Sequence, residues 1–324
     1  ALAVASAMVA PIAMADEGKK GPQVYGKFNV ALESITDEGQ TINNRASRLG
    51  VKGSEDLGNG MKAVYKLEGE VLKGSTGGDD GTFDFKRDTW FGLAGNFGEV
   101  RMGQHDSPLK MVQVKDQFND ASLGDNAKFL GSIGAGKSGE DRYGDSLVYL
   151  SPDFGGIKLM AQLVTEKYDD TAPTNASKED NSLTNITSFA ATYGSSKKGL
   201  YVAAAMTTHD AVTGNDGSEM RFGVQYADAG LMAGVQYDSA DFGVEASAIS
   251  VNLGYKMGNL MPKAKFATID YDAGDASTSM GIGVDYKLAK QVTTYVEYVS
   301  LDENNVNTGA DSVSAVSLGV SYKF

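Results

Sequence analysis

Six cations fall on alternate positions of neighbouring segments near the start of the chain: Lys27, Arg48, Lys52, Lys62, Lys66 and Arg101. Side chains of this kind at this spacing make no bond-breaking centre. What they can do is present a wall of fixed positive charge, which orders water and steers ions in a narrow aqueous gap. Residues suited to covalent chemistry are scarce. Without any Cys there is no disulfide framework, thiolate metal site or cysteine nucleophile. The two histidines, His105 and His209, lie in no metal-ligand spacing and read as solvent-exposed loop residues. A Ser–His pairing can be drawn, but nothing singles one out as part of a hydrolytic triad. The stretch GGDDGTFD carries carboxylates without the positional pattern of a calcium loop. A net charge of −13 disfavours nucleic acid. The expectation is a protein that is not an enzyme and that uses no cofactor and no metal.

A wall of cations needs elements that alternate. The chain supplies segments of about ten residues with period-two patterning. In MRFGVQYA, Met220, Phe222, Val224 and Tyr226 share one face and Arg221, Gly223 and Gln225 the other. In MGIGVDYKL, Met280, Ile282, Val284, Tyr286 and Leu288 oppose Gly281, Gly283, Asp285 and Lys287. The same pattern recurs from VYGKFNVALE to the terminal VSLGVSYKF, giving sixteen expected strands. Their connections alternate between short turns rich in Gly, Asp or Asn and long polar loops such as TDEGQTINN and KYDDTAPTNASKEDNSLT. That alternation describes an up-and-down antiparallel barrel.

Two barrels fit such a pattern, one soluble and one in a membrane. Ten residues at about 3.3 Å each, tilted near 45°, rise roughly 23 Å, close to an apolar bilayer band of about 25 Å. Sixteen strands also enclose more space than side chains alone fill, so water is expected inside. Greasy residues such as Phe222, Val224, Ile282 and Leu318 should then face acyl chains, and Lys66, Arg221 and Lys287 the lumen. The N-terminal ALAVASAMVAPIAMADEG has the apolar run and A-x-A site of a secretory signal peptide, so residues 1–15 read as a partial, cleaved signal and 16–324 as one barrel domain. No apolar run beyond it approaches the roughly 20 residues of a membrane helix.

The runs SRLGVKGSEDLGNGMKAVYKLE, WFGLAGNFGEVRMGQ and DSLVYLSPDFGGIKLMAQL, with the terminal aromatic strand, resemble the general diffusion porins of Gram-negative outer membranes, of the sixteen-stranded neisserial and proteobacterial type. The resemblance runs from about Gln23 to Phe324. It implies an all-β transmembrane barrel with short periplasmic turns and long extracellular loops, assembled as a homotrimer among outer-membrane lipid and lipopolysaccharide. It implies that the third long loop folds inward to form a constriction, and that Phe324 is a signal read by the barrel-assembly machinery. The corresponding loop, about residues 105–145, carries Asp106, Asp116, Asp120, Asp125, Glu140 and Asp141 against Lys110, Lys115, Lys128 and Lys137. Which of these carboxylates face the pore stays open.

Charge is unevenly placed. The eight expected long connections hold 28 of the 42 acidic residues but 7 of the 29 basic ones. An acidic vestibule predicts weak cation preference at low ionic strength, while the basic wall of Lys27, Arg48, Lys52, Lys62, Lys66 and Arg101 points the other way. The expected function is a water-filled channel for passive diffusion of small polar solutes and ions. The alternatives are a substrate-specific porin with a saturable site and a structural or adhesive barrel. Most Tyr and Phe have outward parity, which favours the general channel over a sugar slide.

Overall fold

The computed structural model describes residues 21–71, 83–85, 87–118, 120–130, 133, 141–165, 182–210, 216–272, 276–302 and 312–324; the expected signal segment, and Lys137 and Glu140 of the third loop, lie outside them. The strands are β1 (Gln23–Ile35), β2 (Gly39–Asn44), β3 (Arg48–Gly58), β4 (Met61–Val71), β5 (Phe83–Asp84), β6 (Thr89–Gly95), β7 (Gly98–Asp106), β8 (Arg142–Leu150) and β9 (Ile157–Val164). They continue with β10 (Ile186–Gly194), β11 (Gly199–His209), β12 (Gly217–Asp228), β13 (Leu231–Asp241), β14 (Glu245–Tyr255), β15 (Leu260–Tyr271), β16 (Ser277–Lys287), β17 (Val292–Asp302) and β18 (Val313–Lys323). Two short helices, α1 (Pro108–Met111) and α2 (Asn126–Leu130), lie between β7 and β8.

Every pairing is antiparallel, and the sheet closes where β1 meets β18 in register from Lys27↔Lys323 to Ile35↔Ala315. Closure pairs the first strand with the last, so the sheet has no terminal edge strand, the condition for a sheet to sit in lipid. The eighteen segments make sixteen staves. β2 and β3 lie in line against β1, and β5 and β6 in line against β4.

The period-two pattern partitions the side chains as expected. Ile282 is 63 % exposed and Phe222, Val224 and Leu318 are close behind, all on the outer face, whereas Arg221 on the inner face is fully buried. Lys66 and Lys287 also have inner parity and are half-buried. Greasy side chains therefore face outward, the inverse of a soluble protein and the arrangement a bilayer requires. Aromatic packing marks the seam: the Phe324 ring lies 5.7 Å from Phe28 and 5.5 Å from Tyr322, over Gly26, where an added Cβ would come within 2.4 Å of the ring.

Some expected boundaries move. TDEGQTINN is not a long loop, because β1 runs to Ile35 and β2 returns from Gly39 around Thr36–Glu38. Residues 238–245 likewise form strand ends joined by Phe242–Val244. Polar residues on an alternating strand that rises above the membrane look like loop in sequence, although their backbones stay paired. Between β2 and β3 the register slips by one residue at Arg45–Ser47, with Ala46 at φ 49°. His105 and His209 are not exposed loop residues: both end strands, His105 buried beside Trp90, and His209 hydrogen-bonded to the Tyr143 hydroxyl at 3.2 Å and edge-on to Phe242.

The interior is not wholly aqueous. The segment after β7 enters the barrel and packs on small inward residues of the far wall. Leu109 and Val112 meet Ala190, Ala203 and Tyr201, Phe118 meets Ala121 and Val299, and Phe129, Leu130 and Ile133 meet Ala248, Ala267 and Ile269. Each fully buried large side chain contributes about 1.5–3 kcal/mol, enough in sum to hold an irregular segment against the wall. Gly223 leaves room for this fit, since a Cβ there would lie 3.0 Å from a Val114 methyl, a tight contact.

Candidate functional site

The inward segment is held by hydrogen bonds from one strand after another. Arg221 of β12 donates to the Leu109 carbonyl at 3.0 Å; Gln236 and Gln225 accept from the Val114 and Lys115 amides at 3.0 and 2.7 Å. Lys263 of β15 donates to the Gln117 carbonyl and Lys265 to that of Gly124, at 3.0 and 2.6 Å. Irregular backbone within a barrel must find such partners, and inward polar residues on consecutive strands provide them. The tip then reaches the opposite wall, where Asp120 pairs with Lys27 at 2.8 Å and the Ser122 hydroxyl donates to Glu33. Residues 107–118 and 120–125 thus cross from β7 to β1, dividing the interior.

Of the six cations on the expected basic wall, the structure brings Lys27, Arg48, Lys52 and Lys66 onto adjoining inward positions. Arg48 stands directly opposite Lys27, and Lys52 opposite Lys66. Lys66 pairs with Asp88 at 2.7 Å, and Lys52 lies 5.3 Å over the Tyr25 ring. Lys62 is opposite Asp56 near the short-turn end. Arg101 is further round the wall, stacked 4.0 Å over Trp90 and paired with Glu99 at 2.6 Å.

The four expected loop carboxylates divide. Asp120 faces the wall through Lys27, whereas Asp106 pairs with Arg142 at 2.7 Å near the loop's root. Asp116 is turned into its own segment, accepting from the Phe118 and Asn126 amides at 2.8 and 2.7 Å, and Asp125 accepts from the Asp120 amide at 3.1 Å. Burial pushes the Asp116 carboxyl above its ordinary range, and burial pulls Lys115 down to about 8.

Several charged residues escape the sequence reading. Arg45, in the break between β2 and β3, donates to Glu33 at 2.6 Å and to Glu297 at 2.5 Å, and Glu297 also accepts from Lys263 at 2.6 Å. Arg87 and Arg142 similarly hold Glu68 and Asp88, at 2.5 and 3.1 Å. All three arginines sit in irregular backbone or at a strand end, where parity cannot be read. The only sequence signal for Arg45 is a cation closing the polar run TINNR.

With those pairs drawn, three cations near the loop tip have no ion pair or side-chain hydrogen bond among the described residues. Arg48 has Asp120 and Glu68 within electrostatic reach but also Arg87; Lys323 has Arg48, Asp120 and Asp285; Lys115 has Asp285, Lys323, Lys263 and Asp116. Three of the carboxylates among these neighbours are ion-paired, Asp120 to Lys27, Asp285 to Lys263 at 2.7 Å and Glu68 to Arg87, and the fourth, Asp116, is buried against the Phe118 and Asn126 amides. The passage beside the tip therefore carries surplus positive charge.

A family model described as Gram-negative porin matches residues 1–307. The major outer membrane protein P.IA of Neisseria meningitidis serogroup B is 27 % identical over 363 aligned residues, spanning 96 % of this chain and 88 % of that protein. Outer membrane porin protein 32 of Delftia acidovorans is 40 % identical over 120 residues, 34 % of this chain and 32 % of that protein. Among solved structures, an anion-selective porin from Comamonas acidovorans superimposes with a TM-score of 0.77 at 21 % identity, over 94 % of this chain and all of that one. OmpF of Salmonella typhi, in complex with daunomycin, gives 0.74 at 15 % identity, over 94 % and 97 %. Sixteen closed staves, an outward apolar face, a charged lumen and these likenesses agree: the chain belongs to the Gram-negative porin family, water-filled barrels of the bacterial outer membrane through which small hydrophilic solutes and ions diffuse passively.

Proposed function

We propose that the gap between residues 115–120 and the wall of β1, β3 and β18 is the constriction of the channel, and that it favours anions. The observation that carries this reading is the ion-pair pattern: Asp120, Glu68 and Asp285 are each committed to a cation and Asp116 is turned into its own segment, while Arg48, Lys115 and Lys323 have no ion pair among the described residues. A permeating anion gains attraction from these three, and among the described residues a cation meets there carboxylates that are ion-paired or, for Asp116, turned into the loop's own amides. This reverses the expectation drawn from loop acidity, because charge in a narrow gap acts at shorter range than charge at a vestibule. The Comamonas acidovorans porin of the same fold is described as anion-selective, in line with this reading. The reading includes no catalytic role. Of the proteins compared, the Delftia and Comamonas ones are named porins, and an OmpT of Vibrio cholerae has been solved in a trimer form, which supports a homotrimer here.

The test is the R48Q/K115Q/K323Q variant, refolded and inserted in a planar bilayer under a potassium chloride gradient. Loss of anion preference relative to the parent supports the assignment. An unchanged reversal potential would place selectivity elsewhere.

A further inference from the structure

The same strands that carry the loop are charged with opposite sign at their two ends. At the short-turn end, Lys256 follows Tyr255 and Lys287 follows Tyr286; the tyrosines face outward and the lysines, one step on, have inward parity at the mouth of the lumen. Neither lysine makes an ion pair among the described residues, and Asp285 nearby is taken by Lys263. Lys197 and Lys198 add charge on the β10–β11 turn, against Asp228 on the next. At the other end of β13–β17 stand Asp241, Glu245, Asp270, Asp272 and Asp302, all exposed and none ion-paired among the described residues. Between the two ends lie eleven or twelve residues of each strand, or roughly 25 Å of tilted barrel.

We infer that this axial separation of fixed charge makes the channel rectify, with Lys256 and Lys287 as the determinants at the periplasmic mouth. An acidic outer mouth enriches cations and a basic inner mouth enriches anions. With the outer side positive, cations enter through the mouth that concentrates them, and so do anions from the opposite side; the lumen fills with carriers. With the outer side negative, each ion meets the mouth that excludes it, and the lumen is depleted. The barrel radius is about 16 Å for sixteen staves at ordinary spacing and tilt. At 0.01 M salt a Debye length of about 30 Å spans it, and at 1 M one of about 3 Å does not. The asymmetry is therefore a low-salt property. It is set by the two mouths and does not depend on the sign of the preference at the constriction.

The test is the current–voltage curve of the refolded full chain in a planar bilayer at 0.01 M and 1 M potassium chloride. Orientation is read from an E38C substitution in the β1–β2 turn, labelled from one side with a bulky impermeant maleimide; the natural chain has no Cys to interfere. At 0.01 M salt the current with the outer side positive is expected to exceed the reverse by roughly 1.5-fold or more, falling to equality at 1 M. K256E/K287E should abolish or invert the ratio, and D241N/E245Q/D270N/D272N should lower it from the other mouth. Either variant alone suffices if the other does not refold. A symmetric curve at 0.01 M, or a ratio unmoved by the substitutions, would overturn the inference, even where a reversal potential confirmed anion preference.

Discussion

Lys27 Nζ lies 2.8 Å from Asp120 Oδ2, joining the first strand of the barrel to the tip of a segment rooted four staves away. The bond neutralises the one loop carboxylate that meets the basic wall. D120N should therefore leave Lys27 as a further free cation in the passage, raising the anion-to-cation permeability ratio roughly twofold at low salt. The reversal potential reads this directly, and a shift toward cations would contradict the electrostatic reading.

Arg45 is shared between Glu33 and Glu297, all three nearly out of solvent. Removing the guanidinium leaves two carboxylates under-compensated, a change that costs about 3–5 kcal/mol where a buried pair is broken. R45A should lower the unfolding temperature markedly in detergent. R45A/E33Q/E297Q should recover part of the loss, because the orphaned charges go with it; no recovery would mean that Arg45 acts through packing.

Phe118 anchors the inward segment against Ala121, Val299 and Gly281. F118A removes contacts of a kind worth about 3–5 kcal/mol in a core. The hydrogen bonds from Lys263 and Lys265 remain, so the barrel should persist while the tip loosens. Single-channel records are expected to show larger conductance and more open-channel noise, with unchanged β-sheet circular dichroism.

Lys115 has its ammonium pulled down to about 8 by burial. Its charge is present below that pH and lost above it, so anion preference should fall between pH 7 and 9, with K115Q removing the step. The stability linkage has the opposite slope. The folded chain binds this proton more weakly than the unfolded one, so the Lys115 contribution to stability rises as pH climbs from about 8 toward 10.5.

Phe324 packs on Phe28 and Tyr322 over Gly26 at the seam. F324A should slow barrel closure, measured as the rate at which the heat-modifiable folded band appears on electrophoresis. If Phe324 is also the residue read by the assembly machinery, the deficit in cells should exceed the deficit in refolding from urea. Equal deficits would assign it to packing alone.

The barrel was legible in the sequence because a strand with lipid on one side and water on the other must alternate, and MRFGVQYA and MGIGVDYKL do so without a slip. Parity also placed Lys27, Arg48, Lys52 and Lys66 on one wall. It failed where alternation fails. Arg45 sits in a bulge, and Arg87 and Arg142 sit at strand ends, so the partners that neutralise Glu33, Glu68 and Asp88 were invisible. The inward carboxylates were equally hidden, because Asp116 and Asp120 are four residues apart in one irregular segment yet point to different partners. Loop acidity in the sequence does not distinguish carboxylates that the fold pairs, such as Asp106 and Asp120, from those left exposed at strand ends, such as Asp241 and Asp272.

The most direct test of the central claim is the zero-current potential of the unmodified protein in a planar bilayer, with a tenfold potassium chloride gradient kept below 0.1 M. The free Arg48, Lys115 and Lys323 predict a potential of the sign set by chloride crossing faster than potassium. A potential of the opposite sign would contradict the account, since the acidic outer mouth and not the cations beside the loop tip would then set the preference.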